Sequence, residues 1–163
     1  MRPLRVVVMG VAGCGKSEVG QRIADALQLP LIEGDAFHPE RNIEKMRSGV
    51  PLTDDDRAGW LDVLAHELAS HAQGAVLTCS ALKRSYRDRL RAGNEGLRFV
   101  HLSLPQEEAQ RRVASRPGHF MPPSLVASQF AALEDPSGEP GVVVVDACLP
   151  LDEVAARAVA ALR

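Results

Sequence analysis

Eight consecutive residues, Gly10-Val11-Ala12-Gly13-Cys14-Gly15-Lys16-Ser17, fit the spacing G-x-x-x-x-G-K-[ST]. Glycines at these positions let the chain curl until successive N–H groups converge into a nest for an anion. A helix beginning near Lys16 turns the positive end of its dipole on the same point. Lys16 can then reach β- and γ-phosphates, and Ser17 can offer its hydroxyl to Mg²⁺. The segment is therefore expected to hold a nucleoside triphosphate with its metal. Phosphate binding leaves the acceptor open among water, a protein and a metabolite. No N-K-x-D element for guanine occurs in the sequence, and 163 residues are few for a motor or transporter ATPase.

Other residue types bear on the acceptor. Asp35 could orient an acceptor hydroxyl and take its proton, or merely close an Asx-turn on its own backbone. Asp54, Asp55 and Asp56 behind Thr53 read as a capped helix start better than as a metal cluster, whereas Arg57 could clamp a carboxylate bidentately. Lys83, Arg84, Arg87 and Arg91 are expected on one helix face, with Tyr86 and Leu90 opposite. That face either attracts an anionic substrate or is simply solvated. Arg112 and Arg116, next to Gly118 and Pro122-Pro123, suit a closing lid that stabilises a transferring phosphate, or a solvated helix end. Cys14 lies beside a helix N-terminus, so nucleotide binding is expected to be thiol-sensitive. Cys79 and Cys148 read as small core residues.

These groups need elements to position them. Leu4–Met9 is a short apolar run of the kind buried on both faces of a parallel sheet. Val19, Ile23 and Leu27 follow at helical spacing, giving strand, glycine loop and helix. Leu31–Glu33, Ala75–Cys79, Arg98–Leu102 and Val142–Val145 read as further strands. Helices are expected from Pro39 to about Ser48, from Thr53 along Trp60, Leu64 and Leu68, over Ser85–Arg91, over Pro105–Ser115, from Pro122 through Leu133, and along Leu151, Val154, Ala158 and Leu162. Alternating strands and helices predict an α/β, three-layer fold with a five-stranded parallel sheet, its ligands beyond the carboxyl ends of the strands.

Composition bounds the partners. A net charge of -2 argues against nucleic acid as the main one. Three scattered cysteines suggest reduced thiols in the cytosol, and no apolar run has membrane-spanning length. Met1–Arg5 enters a strand almost at once, leaving no room for a signal peptide. A single cytoplasmic domain over residues 1–163, with a lid at about 116–133 and no membrane or nucleic-acid partner, is the expectation.

Taken together, the chain resembles the gluconate kinases of the shikimate-kinase-like P-loop group. The likeness rests on Met9–Ser17, Gly34-Asp35-Ala36-Phe37-His38-Pro39 through Met46, Pro51–Arg57 with Trp60-Leu61, and Cys79–Arg84 with Tyr86-Arg87 and Leu90-Arg91. Gly118-His119-Phe120, Gln129-Phe130 and Leu133-Glu134 complete it. The resemblance implies ATP- and Mg²⁺-dependent phosphorylation of D-gluconate on its 6-hydroxyl, a mobile lid and a homodimer. It implies that Asp35 meets the acceptor hydroxyl and that Arg57 holds the sugar acid, with His38, Lys83 and Arg87 lining the same site. Arg112 would stack near adenine and Arg116 would reach the phosphates. Ala12 and Cys14 depart from the serines common at those positions, which backbone cradling tolerates; Pro117 stiffens the approach to Gly118. The residues alone leave the identity of the small acid open, and also leave room for a nucleotide-binding regulator without transfer.

Overall fold

The computed structural model describes residues 3–115 and 123–163. Strand β1 (Leu4–Met9) leads through the glycine loop into α1 (Lys16–Leu27), then β2 (Leu31–Glu33) and a short 3₁₀ turn at Gly34–Phe37. Next come α2 (Glu40–Arg47), α3 (Asp54–Ser70), β3 (Gly74–Thr78), α4 (Arg84–Arg91), β4 (Arg98–Ser103) and α5 (Gln106–Ala114). The chain closes with α6 (Pro123–Ala132), β5 (Val142–Asp146) and α7 (Leu151–Leu162). The five strands form one parallel sheet in the order β2-β3-β1-β4-β5.

The run Val6–Met9 is wholly buried because β1 lies mid-sheet with helices on both faces. Its side chains alternate: Val6 and Val8 join Val19 and Ile23 of α1 and Val154 and Ala158 of α7, while Val7 and Met9 join Leu61, Leu64 and Leu68 of α3 and Leu90 of α4. Two cores thus grip one sheet, each such buried aliphatic side chain contributing about 1.5–3 kcal/mol of transfer free energy.

Close approaches at the strand ends explain two glycines. A Cβ on Gly34 would lie 2.2 Å from the Thr78 carbonyl oxygen, so only glycine lets the chain leave β2 against β3. Gly10 has φ +148, and a Cβ there would meet the Cys14 Sγ at 2.7 Å.

Strand order reverses around β1, so the carboxyl ends of β1, β2 and β3 open on a common crevice. Of the expected lid, residues 116–122, with Arg116 and Gly118, lie outside the described residues; the remainder is largely α6. Cys148 departs from its expected place in the core: it sits exposed on the turn after β5, whereas Cys14 and Cys79 are buried.

Candidate active site

The phosphate loop is built by handing β1 to α1. Gly15 caps α1 in the left-handed region, φ 93 and ψ 25, a conformation that glycine adopts without strain. Lys16 folds back over the loop and its Nζ donates to the carbonyls of Gly10 at 3.0 Å and Val11 at 3.2 Å. Cys14 is packed inside the loop, 2% exposed, with its Sγ 4.0 Å from Lys16 Nζ. Burial of that thiol removes the solvent access on which the expected thiol sensitivity depends.

Ser17 Oγ donates to Glu33 Oε2 at 3.0 Å, and Thr78 Oγ1 donates to the same oxygen at 2.6 Å. Glu33 was no part of the sequence reading. Its signal lay in strand alternation: Leu31 packs into the α1-side core and Ile32 into the other, so Glu33 must point toward α1 and Ser17. A hydroxyl and a carboxylate oxygen side by side are hard donors suited to Mg²⁺. Among the described residues no group of three His, Cys, Asp or Glu could hold a metal alone. The donor set therefore fits an ion that takes its remaining ligands from phosphate and water.

Lys16, Ser17, Asp35, His38, Arg57 and Trp60 line one cleft. Asp35, in the turn after β2, has a side chain 72% exposed and places Oδ1 3.8 Å from His38 Nε2. His38 lies flat against Trp60, ring centroids 3.9 Å apart and planes at 16°. Trp60 in turn donates its Nε1–H to the Gly34 carbonyl at 2.8 Å, tying α3 to the turn that carries Asp35. Asn42 Nδ2 donates both to the Asp56 carbonyl at 3.0 Å and to His38 Nδ1 at 3.1 Å. Because the Asp56 contact requires a donor, Asn42 cannot be flipped, and His38 Nδ1 must accept. Neutral His38 consequently carries its proton on Nε2, aimed toward Asp35. Burial lowers the His38 pKa; Asp35 opposes that shift and Arg57 adds to it.

Arg57 is held by one edge only. Its Nη1 donates to the Leu52 carbonyl at 2.9 Å and to the Tyr86 hydroxyl at 3.2 Å, and the guanidinium lies 5.2 Å from the Tyr86 ring centroid. Nε and Nη2 make no hydrogen bond among the described residues, leaving a fork free for a carboxylate. Tyr86 is held in turn by donating to Asp54 Oδ1, the oxygen that also accepts from Lys83 Nζ at 3.1 Å. Those bonds, the one from Tyr86 foremost, lower the Asp54 pKa. Lys83 is thus joined to Asp54 at the rim and is not among the cleft-lining residues.

The remaining acidic residue of the cluster that contacts its neighbours is structural. Thr53 and Asp56 form a reciprocal capping box at the start of α3, and Lys45 Nζ lies 2.7 Å from Asp56 Oδ2. The Lys45 bond, followed by the Thr53 backbone N–H, brings the Asp56 pKa to about 2.

Arg87 corrects the expectation outright. It is 0% exposed, and its five donors reach Glu139 Oε1 and Oε2 and the carbonyls of Ala81, Leu82 and Glu134. No donor remains for a substrate. The basic face foreseen on α4 is split, because Arg87 turns inward with Tyr86 and Leu90 while Arg84 stays exposed.

Arg112 stands across the phosphate loop from Asp35, donating to the carbonyls of Ala147 at 2.9 Å and Gly13 at 3.3 Å. It borders a second hollow with Gly13, Gly15, Ser115, Leu149 and Leu151, adjoining the phosphate nest. Glu108 holds it through Nε at 3.1 Å.

The described geometry is that of a phosphate nest between two hollows, one bearing a carboxylate and a half-free guanidinium, the other an arginine suited to a base. Comparison with known proteins gives the same direction. The AAA domain family model matches residues 6–136. The gluconokinase of Gluconobacter oxydans is 48% identical over 149 residues, 89% of this chain and 83% of that protein. The thermoresistant gluconokinase of Escherichia coli is 41% identical, covering 96% and 92%. The crystal structure of a gluconokinase from Sinorhizobium meliloti superposes with a TM-score of 0.91 at 51% identity, over 99% of this chain and 92% of that one. A shikimate kinase from Aquifex aeolicus, with a TM-score of 0.70 at 15% identity, shares the fold.

Proposed function

The chain belongs to the gluconokinase family, and from that premise we propose how its own residues divide the work. The enzyme transfers the γ-phosphoryl group of ATP to the 6-hydroxyl of D-gluconate, giving 6-phospho-D-gluconate and ADP. The nest from Gly10 to Ser17 holds the triphosphate, with Lys16 steadying charge on the β- and γ-phosphates as the bond to the bridging oxygen breaks. Asp35 accepts the proton of the 6-hydroxyl as its oxygen bonds to phosphorus. His38, with its proton on Nε2 facing Asp35 Oδ1 across 3.8 Å, biases the orientation of that carboxylate electrostatically. Arg57 binds the gluconate carboxylate through its free edge and so sets which end of the acid faces Asp35. Ser17 and Glu33 would hold Mg²⁺, which supplies neutralising charge for the phosphate oxygens when bound. Arg112 borders the base, and Arg116 reaches the phosphates from beyond the described residues. Lys83 acts at one remove, by holding Asp54 against Tyr86.

The observation that carries this reading is the meeting of Lys16, Asp35 and Arg57 in one cleft, with Arg57 committed along a single edge. A homodimer in the cytoplasm completes the proposal. Sedimentation velocity on the pure protein tests the dimer; a single species at 17.5 kDa would reject it. The chemistry is tested by coupled ADP release with Mg·ATP and a panel of sugar acids including shikimate. Release should depend on D-gluconate, and Asp35→Asn should lower kcat about 10²- to 10⁴-fold while ATP binding persists. Turnover of that variant near the parent's would remove Asp35 from the role of base.

A further inference from the structure

Gln129 lies on α6, 117 positions from the phosphate loop in sequence, yet its Oε1 accepts the Ala12 N–H at 2.7 Å. A main-chain N–H can only donate, so the amide oxygen must face the loop and the orientation of the side chain is fixed. Gln129 and Ala12 line the same cleft as Lys16, Asp35 and Arg57.

Other anchors hold α6. Val126 is buried in the core that includes Val11, Ala12 and Cys14 of the phosphate loop and Val113 of α5. Leu125 packs with Met46 of α2 and with Leu52, whose carbonyl receives Arg57. Beyond the C-terminal end of α6, Glu134 N donates to the Leu82 carbonyl at 2.8 Å, Arg84 N donates to Glu134 Oε1 at 2.8 Å, and Arg87 donates to the Glu134 carbonyl. The helix is thus packed against the core under the phosphate loop and tied to the elements that carry Asp35 and Arg57. A hydrogen bond from the Ala12 N–H to Gln129 Oε1 joins it directly to the backbone of that loop.

We propose that Gln129 is a positioning residue. By clamping Ala12 it holds the phosphate loop in one register against the elements bearing Asp35 and Arg57, and so sets the line from acceptor hydroxyl to γ-phosphorus. The inference rests on reading that cleft as the acceptor site. Displacement in line depends steeply on placement, and an error of about 1 Å can cost about 10²-fold in rate. The loss should therefore fall on kcat and leave binding alone.

The test compares Gln129→Leu, which keeps the bulk but offers no acceptor, with Leu125→Ala, which loosens α6 without touching the loop. ADP-release kinetics, ATP titration, thermal melting and amide exchange at Ala12 are measured on each and on the parent. Gln129→Leu should lower kcat about 10²-fold, with ATP affinity and gluconate KM within about threefold and Tm within a few degrees. Its Ala12 amide should exchange at least about tenfold faster. Leu125→Ala should instead lower Tm and raise gluconate KM. A kcat within threefold of the parent, unchanged exchange at Ala12, or a Gln129→Leu profile matching that of Leu125→Ala would each overturn the proposal. Should the parent respond to another acid and not to gluconate, the substrate reading fails, and the same split measured with that acid decides the case of Gln129.

Discussion

In the role proposed for Arg57, a side chain fixed along one edge reads one functional group with the other. Its Nη1 is fixed by Leu52 and Tyr86, so the guanidinium plane is set before any ligand arrives. Arg57→Ala should raise the gluconate KM about 10- to 100-fold, the range of a charge-assisted bond lost, with ATP affinity little changed. Tyr86→Phe removes the hydroxyl between Asp54 and Arg57 and should raise KM severalfold in the same assay. A second residue sets a pH limit. The folded protein favours neutral His38, since burial lowers its pKa more than Asp35 restores it. His101 is shifted the same way, again chiefly by burial. Below the ordinary histidine value of about 6.5 the unfolded chain takes up protons that the folded one resists. Stability contributed by these histidines is therefore whole above that value and is lost as the pH falls toward the lowered folded pKa values. Melting temperatures measured from about pH 8 to 5 should drop on the acid side, less steeply in His38→Gln. The acid limb of kcat governed by His38 should likewise lie below about 6.5.

At the scale of elements, local pattern and long-range pairing part company. The strand Leu4–Met9, the strand Leu31–Glu33 and the cap at Thr53 were legible because each is written in neighbouring residues: an apolar run ending in glycine, or a threonine three places before an aspartate. Asp35 and Arg57 were legible as candidates because a strand end and a helix start give them one direction to face. Arg87 was not. Helical spacing groups it with Arg84 and Arg91, and only Glu139, 52 positions on, draws it inward. Glu33, Gln129 and the retreat of Lys83 to Asp54 were hidden for the same reason, since each is decided by a partner from another element. The Arg87–Glu139 pair, with side chains 0% and 6% exposed, joins α4 to the segment before β5. Arg87→Met should leave Glu139 buried with fewer partners and cost about 3–5 kcal/mol in urea unfolding. Thr53→Ala, losing only the cap, should cost about 1 kcal/mol.

Across the whole molecule the two cores make the sheet rigid while its edge toward the ligands is assembled from turns. Leu64, wholly buried in the α3-side core, should cost about 2–5 kcal/mol when cut to Ala, with gluconate and ATP binding preserved in the fraction that stays folded. The cysteines carry a practical consequence. Two of the three are sealed, Cys14 in the loop and Cys79 beneath the sheet's end, where burial pushes the Cys79 thiol up to about 12. Cys148 alone is open to solvent, one residue past Ala147, whose carbonyl holds Arg112, and one before Leu149, which lines the hollow beside the phosphate nest. Maleimide should therefore label the native protein once, at Cys148. An environment-sensitive dye on that sulfur would stand at the doorway of the hollow proposed to take the base, and its emission should change on adding ATP, giving the protein a built-in optical gauge of nucleotide occupancy that needs no engineered cysteine.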